Sequence, residues 1–232
     1  MVPWLAFGHL QPFFQLSMAL AKEKVHVSFL STPKNIKRLP KLPSNLALVV
    51  NLVEFPLPLV DGSPLLADAE ASVDVSADQM LYLHQAFNLL QELVKNFIAD
   101  KRPDWVIADF ILDWVTDIAP PKPRAQPIQV KNGSRPLHEL LTSPRPWVDF
   151  PSMVSFRKYD ALDLISVLRG ENESRETLLG HDAVIEGACR AMAIRTCMEF
   201  EGDYLDTYNK IVGKLVIPIG FLPPKELPPN ER

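Results

Sequence analysis

The chain has 232 residues, 47% hydrophobic and 22% charged, with a formal net charge of −4. That length and apolar content suffice for one globular domain, or one with a tail, and exclude disorder throughout. With Lys and Arg scattered along the chain and a pI near 5.8, no electrostatic footprint for a nucleic-acid backbone exists.

In chain order, Val2–Phe7 is a short apolar run that stops at Gly8-His9. From Leu10 to Lys22 apolar residues recur at helical spacing, through Phe13, Phe14, Leu16, Leu20 and Ala21. Val25–Leu30 alternates at period two and predicts a strand, after which Ser31-Thr32-Pro33 offers a cap and a first-turn proline for a short helix near Lys34. Leu46–Val53 is a further run of strand length, followed by a proline-bearing loop from Pro56 to Pro64. The stripe Met80, Leu83, Phe87, Leu90, Val94 and Phe97 predicts one long helix over 79–99, a core-packing face rather than a cofactor box. Trp105–Asp109 is a short strand candidate and Ile111–Ile118 the start of a helix.

Strands alternating with helices predict an α/β fold, a Rossmann-like parallel sheet with helices on both faces. In such sheets ligands bind beyond the carboxyl ends of the strands. His9 follows the first strand candidate and Asp109 closes a later one, so both are placed to line one crevice.

From Pro120 the pattern breaks, and residues 120–151 are expected to be irregular. Further on, a helix is expected within 174–187, a strand at 191–195, a helix at 200–210 and a strand at 215–217. Residues 218–232 read as a proline-rich linker. Residues 1–217 are thus expected to form one Rossmann-like domain, with 22 prolines against 9 glycines reflecting its many turns.

Cys189 and Cys197 are too few for a disulfide framework and lack metal-ligand spacing; they are expected to be two buried thiols in a reducing compartment. No segment approaches the roughly 18 apolar residues of a membrane span, and Met1-Val2-Pro3-Trp4 does not resemble a signal peptide. A cytoplasmic location is expected, which makes Asn132-Gly133-Ser134 and Asn172-Glu173-Ser174 chance matches to a glycosylation pattern.

Phosphate loops, dinucleotide fingerprints, the GxSxG elbow and zinc motifs are all absent from the sequence. What remains is His9 and Asp109. An imidazole can accept a proton from a hydroxyl, and a carboxylate can fix its tautomer and stabilise the imidazolium. From spacing alone the alternative stays open that His9 is a surface or capping histidine and Asp109 a helix cap. The other histidines, His26 in a strand, His84 on a helix, and His138 and His181 in polar stretches, carry no such signal.

Several stretches together resemble plant UDP-sugar-dependent glycosyltransferases. They are Val2-Pro3-Trp4-Leu5-Ala6-Phe7-Gly8-His9-Leu10-Gln11-Pro12, Val27–Ile36, Pro103–Phe110, Pro146-Trp147-Val148, Phe156-Arg157 and Arg195–Gly202. Their order and spacing cover 1–119 and about 140–225, closest to the branch acting on flavonoid or terpenoid glycosides. The resemblance implies the N-terminal, acceptor-binding half of a two-domain GT-B fold. It also implies His9 as the base that deprotonates the acceptor, Asp109 as its support, and Gly8 and Phe110 beside the acceptor. No cofactor or metal is expected to be tightly bound; a UDP-sugar is the co-substrate, held in the family by a C-terminal domain with a Trp/His/Gln-rich box.

That box has no counterpart in these residues, the first strand starts late, and Pro120–Asn132 stands where the family has a further strand. The expectations are therefore a sheet missing one strand, a truncated or mis-spliced chain, and little or no transfer by it alone. Two other readings are a remnant that binds a small aromatic or terpenoid ligand, and a module that pairs with another glycosyltransferase chain.

Overall fold

The computed structural model describes residues 1–66, 68–112, 114, 137–144, 148–169 and 189–222. The chain divides into two compact units, Met1–Ile118 with Leu222–Arg232, and Ala119–Phe221.

The first unit carries α1 (Phe7–Lys22), β1 (Val27–Ser31), α2 (Pro33–Arg38), β2 (Val50–Glu54), α3 (Met80–Asn88) and α4 (Gln91–Lys101). β1 and β2 pair in parallel, with Val27 opposite Val50 and Ser31 opposite Glu54. The opening residues extend this sheet on the other side. Met1 donates to Ser28 O and accepts from Leu30 N, while Val2 donates to Ile107 O and accepts from Asp109 N. Val2 and Ala108 thus form a parallel bridge. Across the sheet the order is β2, β1, the opening segment, then 107–109. That is the 3-2-1-4 order of a Rossmann-like half, and its switch point lies between the opening segment and 107–109.

Both faces of β1 are buried, as a parallel sheet requires. Phe29 packs with Leu10 and Phe14 of α1 and with Leu39; Leu30, on the opposite face by the strand's period of two, joins Val2, Trp4 and the α3–α4 residues Leu83, Phe87 and Val94. Helices therefore cover both sides. On α1 the inward positions Leu10, Phe14, Ser17 and Ala21 recur at steps of four, three and four.

Several sequence expectations need correction. Of the Val2–Phe7 run only Val2 makes a strand bridge, because Pro3 has no N–H to continue the ladder and the Trp4 N–H goes to a side chain. Leu46–Val53 contributes a strand only from Val50, since a 3₁₀ turn at Ser44–Leu46 ends on its first residue and 47–49 continue as a turn. The helix expected over 79–99 is two. Leu89 and Leu90 have tighter, 3₁₀-like dihedrals that separate α3 from α4, with Leu90 N bonded to Phe87 O. Of Trp105–Asp109 only 107–109 pair with the opening segment, bridged at Ala108. Of the helix expected from Ile111, residues 113 and 115–118 lie outside the described residues.

The first turn of α2 has Pro33 at N1 after Thr32, as its sequence suggests, but Thr32 makes no capping bond. Glu70 does so instead, its carboxylate accepting from Lys34 N at 2.7 Å, while buried Asn35 donates to Glu70 O at 2.6 Å. Arg38 grips Asp74 through two bonds of 2.9 and 2.5 Å, and Asp74 also accepts from the backbone N–H groups of Glu70 and Ala71. Burial works against the Asp74 charge, but the Arg38 bonds, the Glu70 N–H and the Arg38 and Lys34 charges outweigh it and hold its pKa at about 2. With a folded pKa below the ordinary 3.8, the contribution of Asp74 is complete above about pH 4 and is lost as pH falls through about 2. Asp74→Asn is expected to cost about 1–2 kcal/mol at neutral pH after screening and to flatten the acid limb of unfolding, measured by urea titration between pH 2 and 7.

The second unit carries α5 (Leu137–Leu141), α6 (Lys158–Arg169), β3 (Ala191–Ile194), α7 (Met198–Val212) and β4 (Leu215–Pro218). β3 and β4 are parallel, Ala191 opposite Leu215, and α7 lies between them in sequence, so this is a βαβ unit. α7 kinks at Glu201, whose carboxylate accepts from Thr196 Oγ1 at 2.5 Å, and ends at Gly213 in the left-handed conformation. The strands at 191–195 and 215–217 and the helix at 200–210 are close to their expected positions. Pairing runs past Pro218, since Ile219 N and Gly220 N donate to Ile194 O and Thr196 O.

Residues 120–151 are not wholly irregular. α5 lies among them and packs Leu141 on Ala161 and Ile165 of α6, a helix the sequence reading did not anticipate. Cys189 and Cys197 are free but half-buried, not fully buried. The helix expected within 174–187, the expected loss of a strand at 120–132 and most of the proposed linker lie outside the described residues.

Candidate active site

Strand, tight turn and helix follow one another within ten residues at the amino end. Trp4 and Leu5 are buried, Ala6 is the N-cap, and Phe7, Gly8 and His9 form the first turn of α1. This puts His9 beyond the carboxyl end of the opening segment. Asp109 ends the neighbouring extended segment. The two sides of the switch point thus contribute one residue each, 100 positions apart in sequence.

They meet. His9 Nδ1 lies 2.8 Å from Asp109 Oδ2, with the Asp109 side chain 2% exposed and the His9 side chain 30% exposed. The same carboxylate oxygen accepts the backbone N–H of Trp4 at 3.1 Å. A buried carboxylate needs such donors, because removal from water penalises its charge. In the neutral imidazole Nδ1 carries the proton given to Asp109, so Nε2 holds the basic lone pair. His9 is no helix cap, being the third residue of α1 behind Ala6, and the Asp109 carboxylate holds His9 and Trp4, while most of the helix it was expected to cap lies outside the described residues.

The Asp109 hydrogen bond and charge raise the His9 pKa above 6.5, with burial opposing. A folded pKa above the unfolded value means that the pair's stabilisation is complete below about pH 6.5 and is lost as pH rises through the folded value. Basicity at Nε2 runs the other way and emerges over that same rise. Asp109→Ala is accordingly expected to lower the His9 midpoint, read by NMR titration of the imidazole.

Around the pair, Phe110 is exposed and its ring lies 5.9 Å from that of His9. Gly8 is exposed, and a Cβ there would meet nothing within 4 Å, so the space above the first turn is open. Pro12 has no N–H to give Gly8 O, which leaves that carbonyl without its ordinary helical donor. A surface concavity lined by Leu57, Val60, Leu65 and Leu66 belongs to the proline-bearing loop and takes no lining residue from 7–10 or 109–110. Among the described residues no group of three His, Cys, Asp or Glu side chains is placed to hold a metal, and no helix is long and apolar enough to cross a membrane.

No protein-family model matches the chain. UDP-glycosyltransferase 91C1 of Arabidopsis thaliana is 36% identical over an alignment of 245 positions that covers 97% of this chain and 52% of that protein. The chain belongs to the plant UDP-glycosyltransferases. Soyasaponin III rhamnosyltransferase of Glycine max is 29% identical over an alignment of 246 positions that covers 97% of this chain and 50% of that one. Glycyrrhiza uralensis UGT73P12, solved in complex with glycyrrhetinic acid 3-O-monoglucuronide, superimposes with a TM-score of 0.66 over 95% of this chain and 48% of its own. At 19% identity that likeness bears on fold alone, and the fold is the partial Rossmann-like half of a GT-B glycosyltransferase. The chain spans about half the length of the curated relatives it matches.

Within this UDP-glycosyltransferase chain, sequence reading brought out His9, Asp109, Gly8 and Phe110 but missed the Trp4 N–H, the second donor to Asp109. The signal available for it was Pro3, which ends the ladder and releases the next amide for another partner.

Proposed function

We propose that these residues form the acceptor-binding half of an inverting UDP-glycosyltransferase, with His9 as general base and Asp109 as its support. The observation that carries this reading is the 2.8 Å His9–Asp109 contact beside open space at Gly8. An acceptor hydroxyl gives its proton to His9 Nε2 as its oxygen bonds to the anomeric carbon of the sugar. The bond from that carbon to the UDP phosphate breaks, UDP leaves with the electron pair, and the configuration at carbon inverts. Asp109 holds the ring in the tautomer that leaves Nε2 basic and then offsets the positive charge of the imidazolium. The rest is orientation: a hydroxyl held in line with the departing phosphate reacts as part of one assembly. UDP-sugar acts as co-substrate, with no tightly bound cofactor.

The acceptor proposed is a flavonoid or terpenoid glycoside. Supporting this are the saponin acceptor for which the Glycine max rhamnosyltransferase is named and the glucuronide in the Glycyrrhiza complex. Phe110 offers an apolar surface at the pair for such a molecule. A soluble cytoplasmic protein is the setting this chemistry fits.

Calorimetry of the 232-residue chain with saponin and flavonoid monoglycosides, alongside a transfer assay with UDP-glucose and UDP-rhamnose, tests the reading. Binding is expected, and transfer is expected from a fusion of the chain to the half of UDP-glycosyltransferase 91C1 that it does not match. Binding with no turnover in that fusion selects a ligand-binding protein instead, and absence of binding to every glycoside removes the acceptor assignment.

A further inference from the structure

Asp109 is held from two sides, and both supports lead to α3. On one side is Trp4, whose N–H bonds to Asp109; its indole lies 5.2 Å from the His84 ring and 5.1 Å, edge-on, from Phe87. On the other is the turn after Asp109, where Leu112 N donates to Asp109 O and leads to buried Trp114. Asn88, the last residue of α3, joins the two. Its Oδ1 accepts Trp114 Nε1–H at 3.1 Å, and its Nδ2 lies 3.4 Å from His84 Nδ1.

Donor logic fixes this chain. An indole N–H only donates, so the Asn88 oxygen must face it and the amide nitrogen is left for His84. His84 Nδ1 then accepts, placing that ring's proton on Nε2.

We propose that Asn88 is a positioning residue for the His9–Asp109 pair, tying the two strand ends between which that pair forms. The tie is mechanical. Asn88 acts by holding Trp4 through His84, and by holding Trp114, which follows the turn at 109–112. Its catalytic consequence rests on the general-base reading, but its structural content does not.

The experiment is therefore NMR titration of the five histidines in the full 232-residue chain, with the His9 resonance assigned from His9→Gln. In Asn88→Ala the His9 midpoint is expected to fall by about 0.5 pH unit or more as the contact with Asp109 loosens, within the one-unit scatter typical of environment effects. Trp114→Phe keeps the ring packing and removes only the N–H; the same direction is expected, and this variant decides the matter if Asn88→Ala does not fold. Asn88→Asp keeps an oxygen for Trp114 and a second for His84, whose Nδ1 then carries the proton and donates, so both ties persist and His9 is expected to stay near its parent midpoint. A His9 midpoint unmoved in both Asn88→Ala and Trp114→Phe, or displaced equally in Asn88→Asp, overturns the proposal. None of these outcomes depends on transfer activity; loss of the general-base reading would show instead as full transfer by a His9→Ala fusion.

Discussion

Substitution of His9 by alanine is expected to lower glycosyl transfer about 10²- to 10⁴-fold in the fusion with the remaining half of UDP-glycosyltransferase 91C1. That is the range general-base catalysis contributes when a positioned side chain removes a proton in the transition state. Asp109→Asn is expected to lower transfer by a comparable factor although it keeps nearly the same shape. An amide in place of the carboxylate can give the ring an N–H instead of taking one, which favours the tautomer with its lone pair on Nδ1 and its proton on Nε2, where the base is needed. The two changes disable one device, so the double variant should be little worse than the more damaging single one. Acceptor binding, read by calorimetry on the same proteins, is expected to change by less than about threefold. A His9→Ala fusion transferring at the parent rate would remove His9 from the chemistry.

The pH dependence follows from the same contact. Transfer limited by the proton step is expected to rise with pH through the elevated His9 midpoint. Asp109→Ala, with no amide to impose a tautomer, should move that limb toward lower pH while lowering the plateau.

How far this site was readable beforehand varies from residue to residue. Period-two alternation in Val25–Leu30 and the helical spacing of Leu10–Lys22 are local signals, and β1 and α1 lie within three residues of where those signals put them, α1 starting early enough to take in Gly8 and His9. The α3–α4 break was hidden because the apolar stripe runs through it: Leu90 and Val94 both reach the core, and no Gly or Pro marks the change of dihedrals. α6 was hidden for the opposite reason. Its buried positions Ala161 and Ile165 stand among the exposed Tyr159 and Leu162, so apolar residues fall on both sides and blur the stripe. The cap of α2 comes from Glu70, more than thirty residues away, where no local pattern points. The pairing of His9 with Asp109 is likewise tertiary. The sequence places each at the carboxyl end of a strand candidate, but their meeting depends on strand order, which emerges only when the opening segment inserts between β1 and 107–109. Family resemblance supplied that pairing in advance because homologous order carries tertiary information that spacing lacks.

Phe29→Ala is expected to be the most damaging of the core changes, lowering the unfolding free energy by about 3–5 kcal/mol. The ring is fully buried at the centre of β1 and meets Phe14 of α1 edge-to-face at 5.8 Å, with Leu10 and Leu39 around it. Truncation removes the transfer free energy of the ring and leaves a cavity between strand and helix that neither can close without disturbing the parallel ladder. β1 also carries Leu30 toward the other face, so a shift to fill the Phe29 cavity would pull Leu30 away from Trp4, Leu83 and Phe87. Repair on one face thus costs packing on the other, which favours the upper part of the range. Asn51→Ala on β2, opposite Ser28 and exposed, is the matched control and is expected to stay within about 0.5 kcal/mol. Urea unfolding followed by fluorescence should show a lower midpoint for Phe29→Ala with the slope unchanged. Because domains hold only about 5–15 kcal/mol in total, a loss of this size removes a large share of the margin that keeps His9 and Asp109 in register. A midpoint for Phe29→Ala equal to that of Asn51→Ala would mean that β1 is not the shared core of both faces.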